Sequence, residues 1–443
     1  MRVSGKRQFD FLKKIGYVRM AGTPEELQAA NTIADEVRAI GFEPVLEAFE
    51  IDDAKDPIAT LEVLEPYKKT YTVTGYKCQK STPEGGWEGD FIYAEDVLDV
   101  NLVHAKDKFV MVNGRVTIDK YKKLLKAGVA GFITMGGDIL DKESETDLDV
   151  MKSRKLFTEH GLITGLHIRI KDGLEIVKKR ASRIRVTMIN ENEVRTSHNV
   201  CVTVPGTEFA DQIISFGAHY DSVRFSSGVY DNGTGTVILL ELLRYFKENP
   251  PKRTLQFNWY GSEEIGLEGS KNYVKVHEEE LEKHVLMINL DMAGPYLGKD
   301  TTFVTAEECL VHFTDYFMKT NGYAVEVKQD IYSSDNMPFA DQKIPAISFT
   351  RFPPHGGGHF HSRYDMLSEL SPQSLARTTE YVVKFSAIMA NAVAFPVPRT
   401  MPEKMVEKID KYLFKKEFKE LEEKKEKEKE KESKDKKETK KKK

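Results

Sequence analysis

A series of polar residues between residues 217 and 291 constrains the fold of this chain more than any other feature. Each polar residue follows, or lies just inside, a segment that otherwise has the apolar character of a buried core. They are His219 and Asp221, Asp231, Glu263 and Glu264, and Asp291. Burying a carboxylate or an imidazole is costly unless a partner compensates it. Several such residues in succession suggest a shared partner, and a metal site would serve as one.

Strand and helix patterns alternate around these polar residues. Apolar segments predict strands at residues 199–205, 212–218, 253–260, 285–290 and 346–350. Helical spacing predicts helices at residues 233–248, 268–276, 308–321 and 372–394. This alternation predicts an α/β fold with a mixed, mostly parallel central sheet flanked by helices. Ligands collect at the carboxyl ends of the strands in such sheets, where the polar residues lie.

The patterns divide the chain into four predicted segments. Residues 1–52 supply N-terminal helices and a strand of the catalytic domain, which resumes at residues 191–400. Residues 53–190 form a smaller, inserted α+β domain, and residues 401–443 form a Lys/Glu-rich charged tail. A strand, a Lys-containing helix ending in Ala-Gly and a small-residue strand occupy residues 107–135. This unit resembles a protease-associated domain, so we expect the insert to be a protease-associated-like lid.

Composition excludes several classes of protein. Residues 403–443 contain 18 Lys and 13 acidic residues, a net charge of +5, so the remaining residues carry –9. An acidic body argues against nucleic acid as a partner; the tail is expected to be solvated, with an electrostatic contact as the alternative. No apolar run reaches the roughly 18 residues that span a membrane. No secretory signal is seen, and the three distant cysteines suit a reducing compartment, so a cytoplasmic location is expected.

The first polar residues suit metal ligation but also have simpler explanations. His219, with Asp221 two residues later, offers a ligand and a carboxylate to orient its ring. A buried histidine with satisfied hydrogen bonds is the alternative. Asp231 precedes Asn-Gly and an apolar helix, where it would either cap the helix or bridge two cations.

The later polar residues are harder to explain structurally. Glu263 and Glu264 are adjacent carboxylates that repel each other unless a cation or proton intervenes, although acidic residues also favour helix N-termini. Asp291 ends an apolar strand, where a capped turn is the alternative. A Gly-rich loop adds three histidines, His355, His359 and His361. Three glycines in a row let that loop approach a ligand closely and move.

Together and in this order, the motifs resemble the dizinc aminopeptidases. That family also contains glutamate carboxypeptidase II and the glutaminyl cyclases, and its fold is that of the zinc exopeptidases. The matching motifs are Gly-Ala-His219-Tyr-Asp221, Asp231-Asn-Gly-Thr-Gly, Gly-Ser-Glu263-Glu264-Ile-Gly-Leu-Glu-Gly-Ser, Asn-Leu-Asp291-Met and His361-Ser-Arg-Tyr-Asp365. The resemblance covers about residues 199–394 and the N-terminal helices.

The resemblance implies a role for each residue and two Zn²⁺ ions, although such ligands also accept Co²⁺ or Mn²⁺. It implies that His219 and Asp291 hold one ion, that Glu264 and His361 hold the other, that Asp231 bridges them, that Glu263 is the general base and that Asp221 orients His219. His359, Tyr364 and Tyr332 are candidate substrate-binding residues. Phe360 stands where some relatives carry an oxyanion-binding tyrosine, so that role is left open.

The implied activity is that of a metal-dependent aminopeptidase. A hydroxide that bridges the metals, with Glu263 as base, would hydrolyse N-terminal residues from peptides with a free N-terminus. Three alternatives share the fold: a glutaminyl cyclase-like acyltransferase with a single zinc, a carboxypeptidase or dipeptidase, and a non-catalytic receptor. The sequence leaves open the preferred N-terminal residue, the physiological metal and the oligomeric state.

Overall fold

The structure is a computed structural model that describes residues 3–142 and 147–427. Its strands are β1 (Val45–Ala54), β2 (Ile58–Glu65), β3 (Lys69–Tyr71), β4 (Val73–Lys77), β5 (Trp87–Glu95), β6 (Phe109–Val112), β7 (Gly131–Gly136), β8 (Met151–Lys152), β9 (Thr164–Arg169), β10 (Arg183–Ile189), β11 (Asn192–Val204), β12 (Phe209–His219), β13 (Arg253–Tyr260), β14 (His284–Leu290), β15 (Lys299–Thr305), β16 (Val325–Gln329) and β17 (Ala346–Phe352). Its α-helices are α1 (Gly5–Ile15), α2 (Pro24–Ile40), α3 (Ile118–Ala127), α4 (Lys155–His160), α5 (Ile170–Lys178), α6 (Thr234–Glu248), α7 (Glu268–Val276), α8 (Glu308–Thr320), α9 (Asn336–Asp341), α10 (Pro372–Asn391) and α11 (Glu403–Tyr412).

The chain divides into two compact units. The first contains the residues up to Ile51 and Arg195–Leu413, and the second contains Asp52–Val194 together with the described residues from Phe414 onward. Within the described ranges, no helix combines the length and the apolarity that crossing a membrane requires.

The first unit is built on an eight-stranded mixed sheet. Its strand order is β1-β11-β13-β12-β14-β17-β15-β16. β12 is parallel to both β13 and β14, and β14 is parallel to β17. β11 and β15 run antiparallel to their neighbours β13 and β17. The predicted α/β class with a mixed sheet is therefore confirmed, and four parallel strands end at one edge.

Helices cover both faces of this sheet. One face buries side chains of β12 and β14 beneath α1, α2, α6 and α10 in the largest apolar cluster of the described residues. The other face buries Tyr260 and Met287 beneath α7 and α9. Strands covered on both faces are apolar throughout, which is why β12 to β14 were recognisable as buried segments.

Local sequence signals set the ends of the predicted helices. In α2 the Thr23 side chain accepts a hydrogen bond from the N–H of Glu26, and Pro24 occupies the first turn. Gly41, with φ of 102°, ends the helix in the left-handed conformation. The predicted bounds of β13 and α7 match the structure, whereas α10 ends at Asn391, three residues earlier than predicted.

Several elements were not predicted. β15, β16 and α9 in the first unit and α5 in the second lie outside every predicted strand or helix. The short strand β8 was not predicted either, and residues 143–146, which precede it, lie outside the described ranges.

The second unit contains the predicted strand–helix–strand element as β6, α3 and β7. Thr117 caps α3 and left-handed Gly128 ends it, so the helix follows its cap signals. These strands belong to a sheet of order β3-β2-β10-β5-β6-β7-β9-β4-β8. Residues 415–427 of the charged tail are helical, and Leu421 packs with Ile118 and Leu156. The rest of the tail, residues 428–443, lies outside the described residues.

Candidate active site

The polar residues singled out in the sequence meet at the carboxyl edge of the parallel strands. His219 is the last residue of β12, and Asp291 follows β14 directly. Glu263 and Glu264 lie in the turn after β13, and His361 lies in the loop after β17. Because these four strands are parallel, their carboxyl ends share one edge, and residues 142 positions apart in the sequence become neighbours.

His219 lies between three carboxylates and is almost completely buried. Its Nε2 atom is 3.1 Å from Asp231 Oδ1 and 3.6 Å from Asp291 Oδ1. Its Nδ1 atom is 3.3 Å from Asp221 Oδ1. One ring nitrogen therefore faces two candidate metal ligands, while the other faces the carboxylate expected to orient the ring.

Asp231 extends one oxygen to each of two histidines. Oδ1 is 3.1 Å from His219 Nε2, and Oδ2 is 3.1 Å from His361 Nε2. The same nitrogen of His361 is 2.9 Å from Glu264 Oε2. The peptide bond between Asp231 and Asn232 is cis. A carboxylate in this position can share its two oxygens between two neighbouring cation sites.

The donor atoms form overlapping groups that suit divalent cations. His219, Asp231 and Asp291 form one group and Asp231, Glu264 and His361 another, each with its ligand atoms within 4.8 Å of one another. Asp291 Oδ1 and Glu264 Oε1 are buried without a hydrogen-bond partner among the described residues. Imidazole nitrogens and carboxylate oxygens are the donors that zinc-type ions prefer. These residues therefore fit the implied metal centre.

The electrostatics also indicate that the cluster needs positive charge. Burial lowers the pKa of His361, but its hydrogen bonds with Asp231 and Glu264 outweigh this and raise the pKa to about 11. Burial and then the charge of Asp231 raise the pKa of Glu264 to about 7. Burial also favours neutral Asp231, yet its bonds with His219 and His361 lower the pKa of that carboxyl. The two histidines therefore stabilise the ionised form of Asp231.

Glu263 is placed differently from its neighbour. It forms a possible ligand group only with His219 and Glu264 among the described residues, and it is half-buried. Burial raises the pKa of Glu263 well above its ordinary value; the charge of His219 opposes this shift, and that of Glu264 adds to it. A carboxylate that lies beside a candidate metal centre and has a raised pKa is suited to accept a proton as a general base.

Asp221 supports the turn that carries these two glutamates. Its Oδ1 accepts a hydrogen bond of 3.0 Å from the N–H of Glu263, and its Oδ2 accepts one of 3.2 Å from the N–H of Glu264. The side chain is fully buried. Asp221 therefore contacts His219 and the backbone of both glutamates at once.

Asn232 and Asp365 bond the backbone next to Asp291 and at Asp231, and the sequence had assigned neither of them a role. The Asn232 side chain donates to the carbonyl of Leu290 at 2.8 Å and accepts from the N–H of Met292 at 3.2 Å, next to Asp291. Asp365 is fully buried and accepts from the N–H of Asp231 at 3.2 Å. Both residues belong to motifs that the sequence had identified, but their hydrogen-bond partners lie far away in the sequence and are brought near only by folding.

The three candidate substrate-binding residues occupy different environments. His359 Nδ1 is 3.0 Å from Glu369 Oε1, and His359 belongs to none of the candidate metal groups within the described ranges. Tyr364 is 42% exposed, with its ring 5.6 Å from that of His359. Burial, followed by the negative charge of Asp291, raises the pKa of Tyr332 well above its ordinary value. Tyr332 thus lies near the acidic cluster, whereas the other two face outward.

Comparison with known proteins identifies relatives of this chain in sequence and in fold. The sequence model of Peptidase family M28 matches residues 199–386. Aminopeptidase YwaD of Bacillus subtilis (strain 168) is 25% identical over 408 residues, which cover 87% of this chain and 84% of that protein.

Two solved structures share the fold. A zinc aminopeptidase from Bacillus subtilis superposes with a TM-score of 0.76 at 22% identity, covering 92% of this chain and 99% of that one. An aminopeptidase from Aneurinibacillus sp. strain AM-1 gives a TM-score of 0.71 at 21% identity, covering 90% and 96%. The match of the family M28 model to residues 199–386 confirms the resemblance to the dizinc aminopeptidases.

Proposed function

We propose that this protein is a metal-dependent aminopeptidase that removes N-terminal residues from peptides with a free N-terminus. The observation that carries the proposal is the position of Asp231, whose two oxygens each lie 3.1 Å from a different histidine. A general base next to this arrangement, in a peptidase fold, suits hydrolysis of a peptide bond.

In this proposal two Zn²⁺ ions occupy the two donor groups. His219 and Asp291 would hold the first, Glu264 and His361 the second, and Asp231 both. Bound divalent cations would supply Lewis acidity, which activates water at neutral pH and polarises the scissile carbonyl. Similar donors accept Co²⁺ or Mn²⁺.

Glu263 carries the proton transfers in this mechanism. It would accept a proton from the attacking water and deliver it to the leaving amine, a step for which a raised carboxyl pKa is suited. Asp221 would hold His219 and Glu263 in position relative to each other, because it contacts the ring of His219 and the backbone N–H of Glu263. Moving Asp221 would displace ligand and base together.

The acidic cluster also suits substrates with a free amino terminus. An α-ammonium group can donate hydrogen bonds to carboxylate oxygens that the metal ions would leave free. Tyr332, close to Asp291, is the candidate of the three that lies nearest this charge. His359 and Tyr364 would contact more distant parts of a peptide.

We also propose an identity for the second unit and a cellular location for the protein. The second unit would be a protease-associated-like insert, supported by its strand–helix–strand element β6, α3 and β7. A cytoplasmic location is supported by the three cysteines, each of which has a free thiol.

A panel of substrates tests the proposed activity. Aminoacyl anilides and short peptides with free N-termini should be cleaved, their N-acetylated counterparts should not, and a chelator should abolish turnover. Equal cleavage of the acetylated peptides, or release of C-terminal residues, would contradict aminopeptidase action. Cyclisation of N-terminal glutamine without peptide hydrolysis would point to the acyltransferase alternative.

The Glu263→Gln variant tests the general base. It should keep its bound metal and lose about 10²- to 10⁴-fold in kcat, because the amide cannot accept the proton. Glu268→Gln is the matched control, since Glu268 lies five residues later with its side chain 41% exposed. A Glu263→Gln enzyme as active as the control would remove Glu263 from the mechanism.

A further inference from the structure

The turn that carries the base and a candidate ligand is held by a second buried carboxylate, from the N-terminal helix α2. Glu26 is 1% exposed. Its Oε1 atom accepts hydrogen bonds from the N–H of Ser262 at 2.9 Å and from the Ser262 hydroxyl at 3.1 Å. The same oxygen accepts a bond of 2.9 Å from the Ser197 hydroxyl, and Oε2 accepts one of 2.7 Å from the N–H of Gly22.

Glu26 and Asp221 together accept hydrogen bonds from three consecutive backbone N–H groups. The N–H of Ser262 points to Glu26, and those of Glu263 and Glu264 point to Asp221. Ser262 adopts φ of 58°, in the left-handed region that disfavours a residue with a side chain. Such a conformation persists only where surrounding contacts fix it, and Glu26 bonds both the backbone and the side chain of this residue.

The approach of Glu26 to the turn depends on a glycine. A Cβ atom at Gly261 would lie 2.9 Å from Glu26 Oε1 and 2.5 Å from the Ser197 hydroxyl oxygen. Both distances are shorter than carbon–oxygen contacts allow. The turn is therefore built so that a carboxylate on a distant helix can reach Ser262.

A role at the start of α2 explains only one oxygen of this side chain, Oε2, which accepts from the N–H of Gly22. A glutamate at the third position of a helix often caps the N–H of the residue before the helix. Here the N–H of Thr23 bonds instead to the Met20 carbonyl, and Glu26 crosses to Ser262, 236 positions away in the sequence. Burial and the nearby charge of Asp221 raise the pKa of Glu26 to about 8. Burying this carboxylate therefore costs free energy that a contact at the start of α2 alone would not offset.

We propose that Glu26 is a positioning residue for the reaction, which fixes Ser262 in its left-handed conformation and thereby keeps Glu263 and Glu264 in place. Its catalytic consequence rests on the proposed aminopeptidase function, whereas its effect on the turn does not. The two can therefore be measured separately.

Hydrogen–deuterium exchange and kinetics of the metal-loaded, full-length protein test this proposal. In Glu26→Ala we expect exchange of the peptide covering residues 261–266 to accelerate by roughly tenfold or more. We expect kcat to fall roughly 10- to 100-fold with little change in KM, because the base moves while the substrate site remains. Glu26→Gln keeps an oxygen that accepts from Ser262 and should restore most of kcat. Glu25→Ala, at an exposed position of the same turn of α2, should match the wild type.

Each outcome decides the matter. Unchanged exchange at residues 261–266 and unchanged kcat in Glu26→Ala, with only thermal stability reduced, would overturn the proposal and leave Glu26 as a structural residue of α2. If Glu26→Ala does not fold, Glu26→Asp replaces it: this shorter carboxylate stays near Gly22 but withdraws from Ser262, so faster exchange is again expected. If the wild type shows no aminopeptidase turnover, the proposed function fails, and the exchange of these variants still tests the role of Glu26.

Discussion

A buried neutral histidine at the start of β14 predicts that the first unit loses stability in acid. His284 opens β14, the strand that ends next to Asp291, and it is fully buried. Its Nδ1 atom lies 2.8 Å from the Ser215 hydroxyl, and its Nε2 atom has no hydrogen-bond partner in the described part of the chain. Burial, reinforced by the charge of Arg399, lowers the pKa of His284 from 6.5 to about 4.

The direction of the effect follows from this lowered pKa. Unfolding restores the ordinary pKa of 6.5, so below that pH the unfolded chain binds a proton at His284 that the folded chain refuses. The stabilisation is complete above pH 6.5 and is lost as the pH falls toward 4. The shift corresponds to a loss of about 2 kcal/mol at pH 5 and about 3 kcal/mol below pH 4.

Urea unfolding of a single-tryptophan protein measures this loss in the correct unit. The chain has two tryptophans; Trp259 lies in β13 of the first unit and Trp87 in β5 of the second. Trp87→Phe therefore leaves Trp259 as the single fluorophore, which reports the unfolding of the first unit. The free energy of unfolding is compared at pH 7.5 and pH 5 in this background, with His284 intact and as His284→Gln, under the same metal conditions.

The difference between the two proteins isolates His284, because the acidic cluster titrates in both. We expect the advantage of the histidine protein to shrink by about 2 kcal/mol between pH 7.5 and pH 5. His312→Gln, at an exposed position of α8, is the matched control. An advantage that stays constant across this range would show that folded His284 accepts a proton freely, and the reasoning from its unpaired Nε2 atom would be wrong.

The remaining predictions concern the metal centre and the tail. Metal analysis should find about two equivalents of a transition metal per chain. Asp231→Ala should lower the occupancy of both metal positions, because the two Asp231 oxygens serve both donor groups. A folded, undialysed sample without metal would refute the metal site. Deletion from Glu422 onward should leave activity on short peptides unchanged, because it removes the pair between Lys425 and Glu159, and an exposed pair contributes at most about 1 kcal/mol. A large fall in kcat on deleting the tail would show a role that its charge pattern does not reveal. Leu421→Asp, by contrast, should lower the thermal stability of the second unit, since Leu421 is buried there.

The polar ends of the core strands were predictable because their signal is local. Except for Asp231, which precedes α6, each candidate ligand from His219 to Asp291 follows an apolar run that burial on both faces of a sheet explains. Parallel strands bring their carboxyl ends to one edge, so recognising the strands was enough to bring the residues together. His361 needed the family resemblance, since three histidines in one loop do not distinguish the ligand from its neighbours.

Elements stabilised by distant polar contacts were not predictable. β15 begins Lys-Asp-Thr-Thr, which has the composition of a loop. In the fold, Asp300 is buried and pairs with Arg351 at 3.0 Å and with Arg377 at 2.6 Å. These partners lie 51 and 77 positions away in the sequence, so no window around β15 contains the reason for its burial.

Arg19 shows that the charge balance of the site is also shared across the sequence. Its guanidinium is fully buried and donates to backbone carbonyls that include those of Tyr220 and Gly228. Burial lowers the pKa of Arg19, and the charges of Asp365 and Asp221 oppose that shift. Those two carboxylates in turn accept hydrogen bonds from the backbone N–H groups of Asp231 and Glu263. A cation from the N-terminal segment therefore helps to offset the cost of burying the carboxylates that order the site. Because the carbonyls of Tyr220 and Gly228 lie 201 and 209 positions from Arg19 in the sequence, this contribution becomes visible only in the folded structure.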